Sequence, residues 1–212
     1  VTSMSADTHK YGYGLKGSSV LLFRPKELRR EQYVVIDSWP GGLYASPGMS
    51  GSRSGGLIAA TWAGMLSLGR DGYRRIAADI FRTAAAFKDA VRSHPELRLI
   101  GDSVFNVAFG SDELDIYHVN DALAERGWRL NGLQLPPALH FCVTRPNTQP
   151  GVAEAFAVDL AAAVTHARDH RGERPRSGAS YGSGGRVVDR DRLHTGMARH
   201  LDAMHELGPL DS

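Results

Sequence analysis

Ser5-Ala6-Asp7-Thr8-His9-Lys10-Tyr11-Gly12-Tyr13-Gly14-Leu15-Lys16-Gly17 is the stretch from which this chain is best understood. A lysine sits directly after a histidine, and the glycines that follow let the backbone come close to a bound molecule. A lysine amine forms a Schiff base only after losing its proton, and neighbouring cations promote that loss. His9 and Lys16 can supply such crowding, and both can also bind phosphate. A His-Lys pair by itself reads more readily as a solvated turn, so the surrounding pattern has to carry the argument.

Working outward, the apolar run Val20-Leu21-Leu22-Phe23 lies between Gly17-Ser18-Ser19 and Arg24-Pro25 and is expected to be a short buried strand. Val1-Thr2-Ser3-Met4 reads as a strand or its exit loop. A start so close to the densest motif suggests that a preceding segment is carried elsewhere. Residues 37–56 are dense in Gly, Ser and Pro and read as one long loop. Residues 57–68 are apolar nearly all round and predict a buried helix. Tyr73, Ile76, Ala77, Ile80, Phe81, Ala84, Phe87 and Val91 then recur at helical spacing, predicting an amphipathic helix over a core that His94-Pro95 ends. Further on, residues 97–100, 104–109, 128–130 and 139–144 read as strands. Residues 115–126 and a segment through Val152, Phe156, Leu160 and Val164 read as helices, with Gly127 where a C-terminal cap is wanted. The polar tail contains Ser180-Tyr181-Gly182 and a short amphipathic helix over residues 189–207.

The 212 residues include 25 basic and 23 acidic ones, a net charge of +2, which gives no electrostatic footprint for nucleic acid or an anionic membrane. No run of about 18 apolar residues exists to span a bilayer, and no signal-peptide pattern opens the chain. The single cysteine, Cys142, excludes an internal disulfide and a zinc-ribbon spacing. In Leu139-His140-Phe141-Cys142-Val143 it reads as a buried structural thiol. No metal ligand set is expected.

Ser5-x-Asp7-x-His9-Lys10 before a glycine-rich turn resembles the cofactor site of group II pyridoxal-phosphate decarboxylases. With Tyr11-Gly12-Tyr13 and Lys16-Gly17-Ser18-Ser19 it looks specifically like the sphingosine-1-phosphate lyase family. The likeness continues through Gly42-Leu43-Tyr44-Ala45-Ser46-Pro47, Gly51-Ser52-Arg53, Asp115-Ile116-Tyr117, Gly127-Trp128, Leu133-Gln134-Leu135-Pro136-Pro137, His140-Phe141-Cys142 and Ser180-Tyr181-Gly182. It covers about residues 1–190, and ordered motifs at consistent separations make it specific.

The resemblance implies an α/β chain of the aspartate-aminotransferase-like class, pyridoxal-phosphate fold type I. Residues 1–75 would be the C-terminal part of the cofactor-binding large domain, 76–170 a small α/β domain, and 171–212 a glycine-rich segment with a C-terminal helix. It further implies pyridoxal 5'-phosphate bound covalently to Lys10, with His9 helping to hold its phosphate. Ser52 would reach the cofactor phosphate of a neighbouring subunit, making a homodimer with composite sites. Lys16 would contact the substrate phosphate, and Tyr181 would stand near the reacting centre. Arg145 resembles a transaminase carboxylate grip but is expected to be structural. The implied activity is an aldehyde-lyase cleaving the C2–C3 bond of a sphingoid-base phosphate, with an amino-acid decarboxylase or a silent fragment completing another subunit's site as alternatives. The first half of the large domain, with the residues that pair with and stack on the cofactor ring, lies outside this chain. Cytoplasmic residence is expected.

Overall fold

The computed structural model describes residues 1–178 and 190–206. The chain divides into two compact units, Val1–Ala77 and Ala78–Ser212.

In the first unit, β1 (Ser3–Asp7) and β2 (Ser19–Phe23) pair antiparallel, with Asp7 opposite Ser19. The 20–23 run is the expected strand but it is not buried: Val20, Leu21 and Leu22 are exposed, because in this two-stranded pair no further layer packs on them among the described residues. Between them lies the His-Lys turn. A short helix, α1 (Lys26–Arg30), follows. β3 (Val34–Trp39) and β4 (Gly42–Ser46) then form a second hairpin around Pro40-Gly41, with an irregularity between Ile36 and Trp39. The expected loop over 37–56 is therefore corrected: its first part is hairpin, because Pro-Gly supplies a turn between two strand-forming runs. The long helix α2 (Gly55–Arg92) is interrupted at Gly69, whose φ of 58° is non-helical. Residues 57–68 are helical as expected but not buried. Ile58, Trp62 and Leu66 are 56%, 64% and 62% exposed, a face at i, i+4 and i+8 that nothing in this chain covers among the described residues.

The second unit is built from the far end of α2, β5 (Arg98–Leu99), β6 (Asn106–Gly110), α3 (Ile116–Glu125), β7 (Asn131–Gln134), β8 (Pro137–Cys142), α4 (Val152–Asp169) and α5 (Arg190–His205). The sheet runs antiparallel in the order β5-β6-β8-β7. Its core-facing residues alternate along the strands as period two demands: Val107 and Phe109 on β6, and Leu139 and Phe141 on β8. Ile80, Ala84, Phe87 and Val91 bring the core stripe of α2, and Phe156, Leu160 and Val164 that of α4, both as their helical spacing predicts. Asp115 caps α3 by accepting from the Tyr117 amide at 3.1 Å, and Gly127 ends it at φ 92°.

Two expectations fail here. Residues 128–130 are not a strand; β7 begins at Asn131, after Trp128 turns in to donate to Asp159 at 2.8 Å. Cys142 is exposed, because in β8 it alternates with the buried Phe141 and so falls on the opposite face.

His94 follows α2, and its partial burial lowers its pKa; the Glu96 carboxylate opposes that shift and Arg168 adds to it. The folded chain then favours neutral imidazole, so the unfolded chain takes up the proton first. This contribution to stability is complete above the ordinary imidazole pKa and is lost as pH falls below it. His94→Gln is expected to flatten the fall in melting temperature between about pH 7.5 and pH 5.5. An unchanged slope in differential scanning calorimetry would contradict it.

Candidate active site

Thr8, His9 and Lys10 lie on the turn between β1 and β2. Thr8 is only 3% exposed, unusual for a polar side chain. Its hydroxyl donates to the Ser18 carbonyl at 2.9 Å and lies 2.6 Å from the Ser18 hydroxyl, which is 3.0 Å from Thr61 Oγ1 on α2. With the Thr8 proton committed to a carbonyl, Ser18 donates to Thr8 and Thr61 donates to Ser18. His9 Nδ1 stands 3.1 Å from the same Ser18 carbonyl. A carbonyl only accepts, so Nδ1 carries a proton here, which leaves Nε2 for a second partner.

The backbone beyond His9 is tightly wound. The amide of Lys10 donates to Asp7 O at 3.2 Å, that of Tyr13 to Lys10 O at 3.0 Å, and that of Gly14 to Thr8 O at 2.8 Å. A Cβ on Gly12 would lie 2.4 Å from the Thr8 carbonyl oxygen, so position 12 admits glycine alone. Tyr13 takes φ 55°, which side-chain-bearing residues rarely adopt. The Tyr73 hydroxyl, from α2, donates to the Gly12 carbonyl at 2.7 Å.

Lys10 Nζ pairs with Asp7 Oδ2 at 2.8 Å, its side chain 67% exposed. That hydrogen bond, with the charges of Lys10 and His9, holds the Asp7 carboxyl below its usual range against a smaller opposing effect of burial. The turn thus presents a reachable primary amine, a carboxylate that fixes its position, and an imidazole beside it.

The predicted residues do not all meet there. His9 and Lys10 are on the turn, and Lys16 is exposed on the path from it to β2. Ser52 is exposed on the loop between β4 and α2, where Arg53 Nη1 donates to Gly51 O at 2.8 Å. This loop contributes Ser50, Arg53 and Ser54 to a groove of about 670 Å³ that Ser18, Ser19 and Gln32 also line; neither Lys10 nor Ser52 is in its lining. Tyr181 lies outside the described residues. Arg145 opens an exposed 3₁₀ turn, Arg145–Thr148, in the second unit. Among the described residues, no group of three or more His, Cys, Asp and Glu side chains is placed to hold a metal ion, and no helix is long and apolar enough to cross a membrane.

Sequence reasoning missed Thr8, Thr61 and Tyr73. Tyr73 fitted the apolar stripe of a helix, and only the three-dimensional structure shows its hydroxyl reaching the lysine turn.

No protein-family model matches the chain. It is 42% identical over 207 residues to the sphingosine-1-phosphate lyase of Dictyostelium discoideum, covering 96% of this chain and 38% of that protein. The chain therefore spans well under half the length of such relatives. The solved structure of the Burkholderia pseudomallei sphingosine-1-phosphate lyase superposes with a TM-score of 0.81 at 51% identity, over 98% of this chain and 43% of that one. The glutamate decarboxylase of Lactobacillus brevis, 21% identical, shares the fold with a TM-score of 0.59 over 79% of this chain and 41% of that one. The α/β architecture is thus that of aspartate-aminotransferase-like, fold type I enzymes. On these similarities the chain belongs to the sphingosine-1-phosphate lyase family and corresponds to the C-terminal part of its members.

Proposed function

We propose that the protein to which this chain belongs is a pyridoxal-phosphate-dependent aldehyde-lyase. It would cleave the C2–C3 bond of a phosphorylated long-chain base to give a fatty aldehyde and phosphoethanolamine. The observation that carries this reading is the 51% identity to a sphingosine-1-phosphate lyase over 98% of the chain.

The residues of the turn fit that cofactor. Lys10 offers an amine that is 67% exposed, able to join the cofactor aldehyde, and His9, its Nδ1–H taken by the Ser18 carbonyl, would donate to the cofactor phosphate through Nε2–H as an imidazolium. The close packing at Gly12 holds the backbone that presents both. Bound there, pyridoxal phosphate supplies an electron sink for the bond being broken. Asp7 orients Lys10 through their ion pair, and that contact has to open before the amine can lose its proton and react. Lys10 can accept and return a proton once displaced by the substrate amine. Lys16 would meet the substrate phosphate as a flexible point charge. Ser52 would donate its hydroxyl to the cofactor phosphate of the neighbouring subunit in a homodimer, and Tyr181 would orient the reacting centre. Residence in the cytoplasm is part of the same proposal.

The test is a product assay on the full-length protein supplied with pyridoxal phosphate. Release of a long-chain aldehyde from a sphingoid-base phosphate supports the proposal. Carbon dioxide from an amino acid, with no aldehyde, would replace it with a decarboxylase. Neither product, with no cofactor trapped on Lys10 by borohydride, would mark the site as silent.

A further inference from the structure

We propose that Tyr73 is a positioning residue for Lys10, holding the lysine-bearing turn in its strained form through the Gly12 carbonyl; this rests on the function proposed above. The turn contains a non-glycine residue at positive φ, Tyr13 at 55°. Such a conformation persists only where the surroundings over-determine it. Two of the ties are local, from the Tyr13 amide to Lys10 O and from the Gly14 amide to Thr8 O. These are backbone bonds within a few residues, and they would re-form readily in a relaxed variant of the turn. The Tyr73 phenol is different. It comes from α2, 61 residues further along the chain, and donates at 2.7 Å to the carbonyl of the residue immediately before Tyr13.

Gly12 transmits that hold. It sits so close to Thr8 that a Cβ would meet the Thr8 oxygen at 2.4 Å, and Thr8 is itself locked to Ser18 and through it to Thr61 of α2. α2 therefore grips the turn at two points, Thr61 through Ser18 on one side of Lys10 and Tyr73 through Gly12 on the other. Freeing the second point releases the Gly12 carbonyl and allows Tyr13 to relax toward ordinary backbone angles, and Lys10, whose carbonyl accepts from the Tyr13 amide, shifts with it. The Tyr73 phenol touches no reacting atom in this account; it acts through the turn.

Tyr73→Phe removes the donor and keeps the ring. In the full-length protein the variant is expected to lower kcat about five- to tenfold, the worth of one hydrogen bond, with KM within about twofold of wild type. Two further readouts separate positioning from general destabilisation. Amide hydrogen exchange at Tyr13 and Gly14 in the cofactor-free protein should rise, while exchange in β8 stays as in wild type. The pH profile for borohydride trapping of pyridoxal phosphate on Lys10 should shift. Unchanged exchange at Tyr13 and Gly14 overturns the inference, whatever happens to kcat, because the effect then does not pass through the turn. So does faster exchange with kcat and the trapping profile at wild-type values. If the wild-type protein traps no cofactor on Lys10, the functional proposal fails instead, and the exchange measurement still decides whether Tyr73 holds the turn.

Discussion

Replacing Lys10 by alanine is expected to eliminate covalent attachment of pyridoxal phosphate and to lower activity by orders of magnitude, as loss of a covalent catalyst does. The expectation rests on position more than on residue type. Lys16 is a second lysine in the same glycine-rich stretch, exposed and separated from Lys10 by Gly12 and Gly14. Only Lys10 has its amine held, 2.8 Å from Asp7, on a turn that the Thr8, Ser18 and Thr61 hydroxyls fix from beneath. Lys16→Ala should therefore keep the borohydride-trapped adduct on the Lys10 peptide while raising KM for a phosphorylated substrate. A direct electrostatic companion can be measured without substrate. In Lys10→Ala, Asp7 loses the hydrogen bond that lowers its pKa, so its carboxyl should titrate closer to the ordinary carboxylate range by NMR. Persistence of a trapped adduct in Lys10→Ala, or its appearance on Lys16 in the wild type, would remove Lys10 from the centre of the proposal.

Much of this arrangement was legible because local chemistry and global fold agree along most of the chain. The run at residues 20–23 had the β-branched and aromatic content of a strand and is β2; the stripe through Ile80, Ala84, Phe87 and Val91 had helical period and is buried along α2. Failures came where the deciding partner is not a sequence neighbour. Residues 57–68 are apolar all round, which says that the helix meets apolar surroundings without saying what supplies them; Trp62 is 64% exposed in this chain alone. The Pro40-Gly41 turn hid the β3–β4 hairpin inside a loop-like composition. Cys142 was misassigned by reading an apolar run as uniformly buried, when period two places it opposite Phe141. At the site, the His-Lys motif was visible but its supports were not. A threonine, a serine and a tyrosine at positions 8, 18 and 73 carry no distinctive pattern, and only folding brings them to one turn.

The largest loss of stability is expected from Phe87→Ala, and the reason is where its ring sits. Phe87 is fully buried on α2, with ring centroids 4.6 Å from Phe156 on α4, 5.2 Å from Phe141 on β8 and 6.1 Å from Trp128, which it meets edge to face. One side chain thus joins a helix, the sheet and a second helix, and its edge-to-face contact with Trp128 is an orientation that aromatic quadrupoles favour. Truncation removes the transfer free energy of the ring and leaves a cavity walled by three other rings, themselves too large to collapse into it. The cost should be about 3–5 kcal/mol, which for a unit of this size lowers the melting temperature by on the order of 10 °C. Phe81 supplies the control. It is the same residue type on the same helix, 46% exposed, and Phe81→Ala should cost less than about 1 kcal/mol. Phe87→Leu, which refills part of the space, should fall between the two. Chemical denaturation of the three variants tests the ordering, and equal losses at positions 81 and 87 would mean that α2 does not dock on the sheet through Phe87.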